Sequence, residues 1–197
     1  GVETNRGFIA TNTVVCCVAG STPRITKMLG LTTPIEIYPL QACVTEPVKP
    51  FLDRIIVSGS LHVYVSQSTR GELVMGASLD PATLHSTRSS FDFIERMADM
   101  LLDLFPFVGD VKMVRQWAGM ADMTPDFAPI MGLTTIDGFF INGGWGTYGF
   151  KATPISGKTL AYTVANRSPH KLIENFSLNR FSKMSLVGEK GAASVGH

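Results

Sequence analysis

Residues 143–157 read Gly-Gly-Trp-Gly-Thr-Tyr-Gly-Phe-Lys-Ala-Thr-Pro-Ile-Ser-Gly, and this stretch gives the clearest indication of the chain's architecture. An apolar run at 138–142 precedes it, and a helical pattern follows from about 156 to 166. The order predicts a strand, a glycine-rich turn and a helix. Glycine lets a backbone come close to a ligand, and the first N–H groups of a helix lack intrahelical partners. Such a turn is typical of a cradle for a polar or anionic cofactor edge, with Lys151 as a cation inside it.

A plainer interpretation of this stretch is a tight turn with a solvated lysine. Four glycines fall within seven residues, at Gly143, Gly144, Gly146 and Gly149, which is more than a turn needs. We therefore favour a ligand site, although the motif does not identify the ligand.

A second candidate ligand segment lies near the N terminus, after a strand edge or short hairpin arm at 3–9. Residues 13–20 form an apolar run ending in Ala19 and Gly20, which is typical of a buried parallel strand. A short helix follows from Thr22 and ends at Gly30. Ligands bind at such strand ends in α/β proteins. Ordinary packing of a helix on a strand explains the segment equally well.

The middle of the chain predicts an antiparallel sheet, with a hairpin turn at 68–71. Period-two alternation places His62, Tyr64 and Ser66 on one face. A solvated face with a lone histidine is the commoner case, but beside a cofactor this face would form a substrate wall. The predicted strands cover 35–44, 55–57, 61–67 and 72–78.

A helix is predicted over 91–105, capped by Ser89 or Ser90 and ended by Pro106. Strands at 111–120 and 128–132 then flank a Thr-Pro-Asp turn, in which Asp126 stabilises its own turn. After residue 166 we expect an irregular arm with a short helix near 179, and a tail, 188–197, that contacts another surface or is mobile. The apolar positions predicted to face the core are Phe91, Ile94, Met97, Ala98, Leu101, Leu102 and Phe105.

Composition narrows the class of protein. The chain has 197 residues, 45% of them hydrophobic and 17% charged, with a formal net charge of +1. This charge gives no reason to expect nucleic acid or a membrane surface as a partner. Cys16, Cys17 and Cys43 lack metal-ligand spacing, so we expect no metal site and reduced thiols in a cytoplasmic protein, with Cys16 and Cys17 buried. No P-loop or nucleophile elbow occurs, which leaves a bound organic cofactor as the main enzymatic option.

In this order the segments resemble those of the flavin-dependent amine oxidases, the superfamily of glycine oxidase and D-amino-acid oxidase. Within it, the detailed resemblance is to the beta subunits of heterotetrameric sarcosine oxidases. The matching stretches span nearly the whole chain. They are Tyr38-Pro-Leu-Gln-Ala42, His62-Val-Tyr-Val-Ser-Gln67, Gly71-Glu-Leu-Val-Met-Gly76, Trp117-Ala-Gly119, Thr124-Pro-Asp-Phe-Ala-Pro-Ile-Met-Gly132, Gly143 to Pro154, Phe176-Ser-Leu-Asn-Arg-Phe181 and the Gly-Ala-Ala tail.

The resemblance implies an α/β (α+β) fold: the C-terminal part of an FAD-binding Rossmann-like domain and an antiparallel substrate domain. The FAD-binding part would comprise 1–33 and 111–166, the substrate domain 34–110, and a C-terminal arm 167–197. Lys151 would pair with the substrate carboxylate, and Tyr64 and His62 would face the flavin ring. The residues implied to contact FAD are Ala19, Gly20, Gly144, Trp145, Gly146, Thr147, Gly149 and Phe150.

The implied activity is oxidation of sarcosine to glycine with hydride transfer to FAD. Other subunits would include a folate-binding one that captures the one-carbon unit, and electrons would pass through FMN to oxygen. Dimethylglycine, glycine or a proline-like amine are alternative substrates. A non-catalytic scaffold of the same fold is a further alternative, against which the full glycine-rich turn with Lys151 argues.

Two departures from the family are informative. Gly119 stands where monomeric sarcosine oxidases link FAD to a cysteine, which implies non-covalent FAD. The Gly-x-Gly-x-x-Gly fingerprint is absent, and the histidine that would carry covalent FMN is expected upstream. We therefore expect this chain to be the C-terminal half of a longer protein, and to be inactive and poorly soluble alone because its apolar strand edges are exposed.

Overall fold

A computed structural model of the chain, which describes residues 1–77 and 79–188, divides into two units. The first unit comprises Gly1–Glu36 and the described residues from Ala121 onward, and the second comprises Ile37–Met120. The sequence places these borders at 33/34 and 110/111. The assignment of the units to cofactor and substrate stays a prediction.

The sheet of the first unit has three strands, in the order β3 (Val14–Cys16), β10 (Phe139–Gly143), β9 (Ile130–Leu133). β3 pairs parallel with β10, as predicted for an α/β protein, and β10 pairs antiparallel with β9. The N-terminal hairpin of β1 and β2 is also confirmed. The elements of this unit are β1 (Val2–Thr4), β2 (Gly7–Ile9), β3 (Val14–Cys16), α1 (Thr22–Met28), β9 (Ile130–Leu133), β10 (Phe139–Gly143), α3 (Gly149–Asn166) and 3₁₀ helices at Ala19–Ser21, Lys171–Phe176 and Leu178–Arg180.

The bounds of β3 and α3 differ most from the sequence-based ones in this unit. β3 is shorter than the apolar run at 13–20, because the chain turns into the 3₁₀ helix Ala19–Ser21. α3 begins at Gly149 rather than near residue 156. Glycine and proline in its first two turns are poor helix formers, yet the helix includes Pro154, which cannot donate a backbone hydrogen bond to Phe150 and crowds its carbonyl. The short helix predicted near residue 179 is present at Leu178–Arg180.

The second unit is a five-stranded antiparallel sheet with the helix α2 (Phe91–Leu104) packed on it; the strand order is β5 (Ile56–Ser58), β6 (Val63–Gln67), β7 (Glu72–Ala77), β4 (Glu36–Pro47), β8 (Met113–Met123). The hairpin turn at 68–71 is confirmed, with Gly71 at φ 105°. Ser90 caps α2 by accepting a hydrogen bond from the Phe93 N–H at 3.3 Å. The elements are β4 (Glu36–Pro47), β5 (Ile56–Ser58), β6 (Val63–Gln67), β7 (Glu72–Ala77), α2 (Phe91–Leu104), a 3₁₀ turn at Pro106–Val108 and β8 (Met113–Met123), whose end belongs to the first unit.

The core face of α2 differs in part from the predicted stripe. Phe93, Met97 and Leu101 are buried against β6 and β7, whereas Phe91 is 70% exposed and Leu102 is 40% exposed. Apolar side chains occur on two overlapping rows of this helix. Only the position of the sheet decides which row is covered.

Candidate functional site

The two segments predicted to contact a cofactor lie at one edge of the first unit's sheet. β3 and β10 are parallel, with Cys16 opposite Ile141. Parallel strands end at the same edge, so the chain leaves both strands side by side. A Cβ added to Gly143 would lie 3.0 Å from the Thr22 hydroxyl oxygen, which shows that the two connections touch.

The connection after β3 contains a strained residue. Ala19 is exposed and has φ 44°, while Gly20 beside it is buried. A left-handed residue other than glycine is uncommon, and such strain concentrates at functional sites. This geometry favours a ligand contact at Ala19 over plain helix–strand packing.

The glycine-rich turn, residues 143–149, is closed by Asp122. The Asp122 carboxylate accepts the Gly144 N–H at 2.6 Å, and its backbone carbonyl accepts the Gly146 N–H at 3.1 Å. Burial raises the pKa of the Asp122 carboxyl, although hydrogen bonds from backbone N–H groups of the turn oppose that rise. The sequence did not point to Asp122, and its only signal is an acidic residue at the end of an apolar strand. The first amides of the turn thus bond within the protein, which leaves those at the start of α3 for a ligand.

Protein packing requires two of the glycines in this turn. Gly144 has φ 73°, and a Cβ there would lie 2.6 Å from the Thr124 methyl carbon. A Cβ on Gly149 would lie 2.8 Å from the Trp145 Cβ. The sequence attributes these glycines to the approach of a ligand, and in the structure side chains of the protein approach them closely.

Lys151 lies in the first turn of α3, and its side chain is exposed. Tyr148 at the N-cap makes no capping hydrogen bond through its side chain, and the first turn contains no acidic residue. A cation at the positive end of a helix dipole is unfavourable by about 0.3–1 kcal/mol. Uncapped N–H groups beside an exposed ammonium group form an arrangement that suits an anion.

The other side chains predicted at this turn surround the start of α3. The Trp145 indole N–H donates to Asn142 at 2.7 Å, and the Trp145 ring meets the Tyr148 ring edge-on. Thr147 is exposed, and Phe150 is 96% exposed. The first unit thus presents an aromatic ring next to the lysine.

A buried hydroxyl beside the turn supports a fit to FAD. Thr22 has no solvent exposure, and its Oγ1 has no hydrogen-bond partner within the described residues. An unpaired buried polar group costs about 1–3 kcal/mol, so its presence calls for an explanation such as a bound group. Hydrogen-bond donors for the polar edge of a flavin are available here. They are the backbone at the left-handed Ala19, the uncapped amides of α3 and the Thr22 hydroxyl. The residues present therefore fit the cofactor.

Tyr64 and His62 belong to the second unit, whereas Lys151 and the glycine-rich turn belong to the first. The half-buried Tyr64 ring lies over Gly76, where an added Cβ would come within 2.3–2.5 Å of ring atoms. Burial, and then the nearby Cys43, raise the pKa of the Tyr64 hydroxyl. That Tyr64 and Lys151 serve one site stays a prediction.

His62 does not follow the alternation that would place it beside Tyr64. β6 begins at Val63, and His62 precedes it with φ 53°. Period-two alternation holds only within the strand, where Val63 and Val65 are buried and Tyr64 and Ser66 are half-buried. The predicted common face therefore holds for Tyr64 and Ser66 alone.

The cysteines are free thiols. Cys16 and Cys43 are buried, as expected for Cys16, but Cys17 is exposed because the neighbours of a strand residue face opposite sides. Across residues 1–77 and 79–188, no group of three or more His, Cys, Asp or Glu side chains is placed to hold a metal ion. None of the helices in that part of the chain is long and apolar enough to cross a membrane.

Comparison with known proteins identifies the protein family of this chain. A family model described as FAD dependent oxidoreductase matches residues 1–163. The chain therefore belongs to the FAD dependent oxidoreductase family. The predicted mixed α/β fold with an antiparallel sheet is confirmed by the strand pairing of the two units and by the match to this family.

The particular relatives match the resemblance stated from the sequence. The chain is 42% identical over all its residues to "Sarcosine oxidase subunit beta" of Arthrobacter sp, of which it covers 49%. It is also 42% identical over its full length to the protein of that name from Rhodobacter capsulatus, of which it covers 47%. The crystal structure of L-proline dehydrogenase from P. horikoshii is also similar, with a TM-score of 0.86 and 25% sequence identity. The alignment covers 93% of this chain and 50% of the dehydrogenase chain. The chain thus spans about half the length of the relatives that it matches.

Proposed function

We propose that this chain is the part of a flavin-dependent amine oxidase that lies along FAD and binds the carboxylate of an amino acid, with sarcosine as the substrate. The observation that carries the proposal is the start of α3. Uncapped amides, an exposed Lys151 and no acidic residue come together there, directly after the glycine-rich turn. The identity of 42% over the whole chain to sarcosine oxidase beta subunits supports the choice of substrate class.

In this proposal Lys151 anchors the substrate. An ammonium–carboxylate pair at about 4 Å is worth about 1 kcal/mol in water and about 4 kcal/mol at the effective dielectric constant of a protein surface. The dipole of α3 adds to the same field at its N terminus. Lys151 therefore both holds the amino acid and fixes the direction of its C–N bond.

Backbone groups would hold the cofactor. Ala19 and Gly20 come from the connection after β3. The residues from the glycine-rich turn are Gly144, Trp145, Gly146, Thr147, Gly149 and Phe150. When bound, FAD would supply the acceptor for the hydride equivalent removed from the substrate's C–N bond. Gly119 at the position of the family's FAD-linking cysteine supports non-covalent binding.

Tyr64 would form part of the substrate wall, and the role of His62 stays a separate prediction because it precedes β6. Tyr64 is half-buried, and its hydroxyl has a raised pKa, so it stays a neutral hydrogen-bond donor at physiological pH. The covalently bound FMN, the folate-binding subunit and the cytoplasmic location remain parts of the same proposal. The partner subunit is supported by the relatives being named as a subunit, and the FMN and the location rest on the family resemblance alone.

The test uses the complete protein with its subunits. Lys151→Met should raise the KM for sarcosine by one to three orders of magnitude, because the pair with the carboxylate is lost. Lys158→Met is the matched control, since Lys158 is an exposed lysine farther along the same helix. An unchanged KM for the Lys151 variant would remove this residue from the substrate site.

A spectrum tests cofactor and substrate together. A flavin absorbance band that bleaches on anaerobic addition of sarcosine is the expected result. Flavin that passes into the supernatant on acid precipitation would support non-covalent FAD. A complete protein without a flavin band would contradict the proposal and favour the scaffold reading.

The second candidate function is oxidation of another secondary or tertiary amine. The likeness to a structure titled L-proline dehydrogenase, with a TM-score of 0.86, favours this alternative. A panel of sarcosine, dimethylglycine, glycine and proline separates the two. Bleaching by proline or dimethylglycine but not by sarcosine would select the alternative.

A further inference from the structure

Arg180 holds the C-terminal segment against the turn at 124–129. Its side chain is 2% exposed, and its Nε and Nη2 donate to the two carboxylate oxygens of Asp126 at 2.7 and 2.9 Å. A bidentate pair of this kind is the strong form of an arginine–carboxylate contact. The remaining donors are used as well. They reach the backbone carbonyls of Ala128 at 2.7 Å, Pro129 at 3.0 Å, Phe176 at 3.0 Å and Ser177 at 3.3 Å.

Asp126 joins three segments, which is more than the own-turn role that the sequence predicts for it. Its carboxylate accepts the N–H of Ala128 at 3.3 Å within the turn. It also accepts the N–H of Val187 at 3.1 Å, so the C-terminal segment is tied to Asp126 both at Arg180 and at Val187. We call the Asp126–Arg180 pair with these contacts the C-terminal clasp.

The clasped turn touches the glycine-rich turn at two places. The Tyr148 hydroxyl donates to the Phe127 carbonyl at 2.9 Å. At the other place, Thr124 packs on Gly144, where an added Cβ would lie only 2.6 Å from the Thr124 methyl carbon. Residues 124–129 therefore lie between the clasp and the turn predicted to face the flavin, and all of them belong to the first unit.

We propose that Asp126 and Arg180 are positioning residues for the glycine-rich turn, acting through the turn at 124–129. The inference rests on the proposed function, in which residues 143–149 lie along FAD. A cofactor turn must be held closely to its productive geometry by packed neighbours. A salt bridge that served only the C-terminal segment would not affect amides 143–149.

Hydrogen exchange of the complete protein in its apo form, without flavin or amine, tests the coupling. Arg180→Lys keeps the charge but cannot form the planar fork. We expect exchange of the peptide covering 143–149 to rise about tenfold, with exchange at 158–166 in α3 unchanged. Arg54→Lys is the matched control, because Arg54 and Asp53 form an exposed pair in the second unit.

Two outcomes would overturn the proposal. Unchanged exchange at 143–149 would show that the clasp does not act on the turn. A uniform rise across α3 would show a general loss of stability instead. A second variant, Tyr148→Phe, removes the hydrogen bond from Tyr148 to Phe127, one of the two contacts between the turns. In that background Arg180→Lys should raise the exchange at 143–149 by less than it does in the unmodified protein. Full additivity would also contradict coupling through the turn at 124–129.

The complete protein supplies the functional readout. Arg180→Lys should raise the Kd for added FAD several-fold and change the flavin absorbance, and Arg54→Lys should do neither. If exchange rises as expected but the complete protein binds no FAD, the clasp stands and the proposed function fails. If Arg180→Lys and Arg54→Lys bind FAD equally well, the positioning role of Asp126 and Arg180 is refuted, and the proposed function is not affected.

Discussion

Replacing Gly144 by alanine should be among the most damaging small changes in the glycine-rich turn. Gly144 has φ 73°, which costs an alanine about 1–2 kcal/mol. The new Cβ would also lie 2.6 Å from the Thr124 methyl carbon, and overpacking of this kind costs about 1–3 kcal/mol. The two effects together predict a loss of about 2–5 kcal/mol in the free energy of unfolding.

The chain offers a control that separates the two effects. Gly30 has nearly the same backbone angle, φ 72°, but a Cβ there would meet nothing within 4 Å. Gly30→Ala should therefore cost only the backbone part, about 1–2 kcal/mol. Thr124→Ser removes the methyl carbon and keeps the hydroxyl that donates to the Ala128 carbonyl at 2.7 Å. In this background Gly144→Ala should lose only what Gly30→Ala loses.

The assay is urea unfolding of the complete protein, followed by tryptophan fluorescence. Trp145 reports directly, because it lies within the turn. The reasoning would be refuted if Gly144→Ala were no more costly than Gly30→Ala. It would also fail if Thr124→Ser restored none of the lost stability, since the packing of Thr124 on Gly144 would then not be the cause.

Two further predictions concern ionisable groups. Gly76→Ala should push the Tyr64 ring out of its half-buried position, so the raised pKa of the Tyr64 hydroxyl should fall toward 10.0 in an absorbance titration. Gly59→Ala is the control and should leave that pKa unchanged, because a Cβ on Gly59 would meet nothing within 4 Å. Burial tends to raise the pKa of Asp126, but Arg180 and two backbone N–H groups outweigh burial and lower it from 3.8 to about 2. Ionised Asp126 therefore contributes about 2 kcal/mol of stability above pH 4, lost as the pH falls toward 2. The stability difference between the wild-type chain and Asp126→Asn should shrink over that range, and a constant difference would contradict this account.

Local patterns in the sequence determined much of this fold. The β-branched run before Ala19, the alternation in β6 and β7, and the Ser90 cap of α2 all act over a few residues, so they could be read without knowing their neighbours. The glycine-rich turn after β10 is of the same kind. The family follows from these segments in order, and the match over 1–163 confirms it.

Contacts between distant segments could not be read in this way. Nothing near Asp126 indicates that its partner is Arg180, which is 54 residues away. Asp122 likewise meets Gly144 only when β8 and β10 lie together. Their partners depend on which strands become neighbours, and the long-range packing of the chain decides that.

The sequence by itself determined the order of the elements, the turn with Lys151 and the family. Tertiary structure decided which side of α2 is covered, where α3 begins and why Gly144 cannot carry a side chain. The physical reason is that turn and helix propensities act locally, whereas burial and steric fit depend on atoms that only the folded chain brings together.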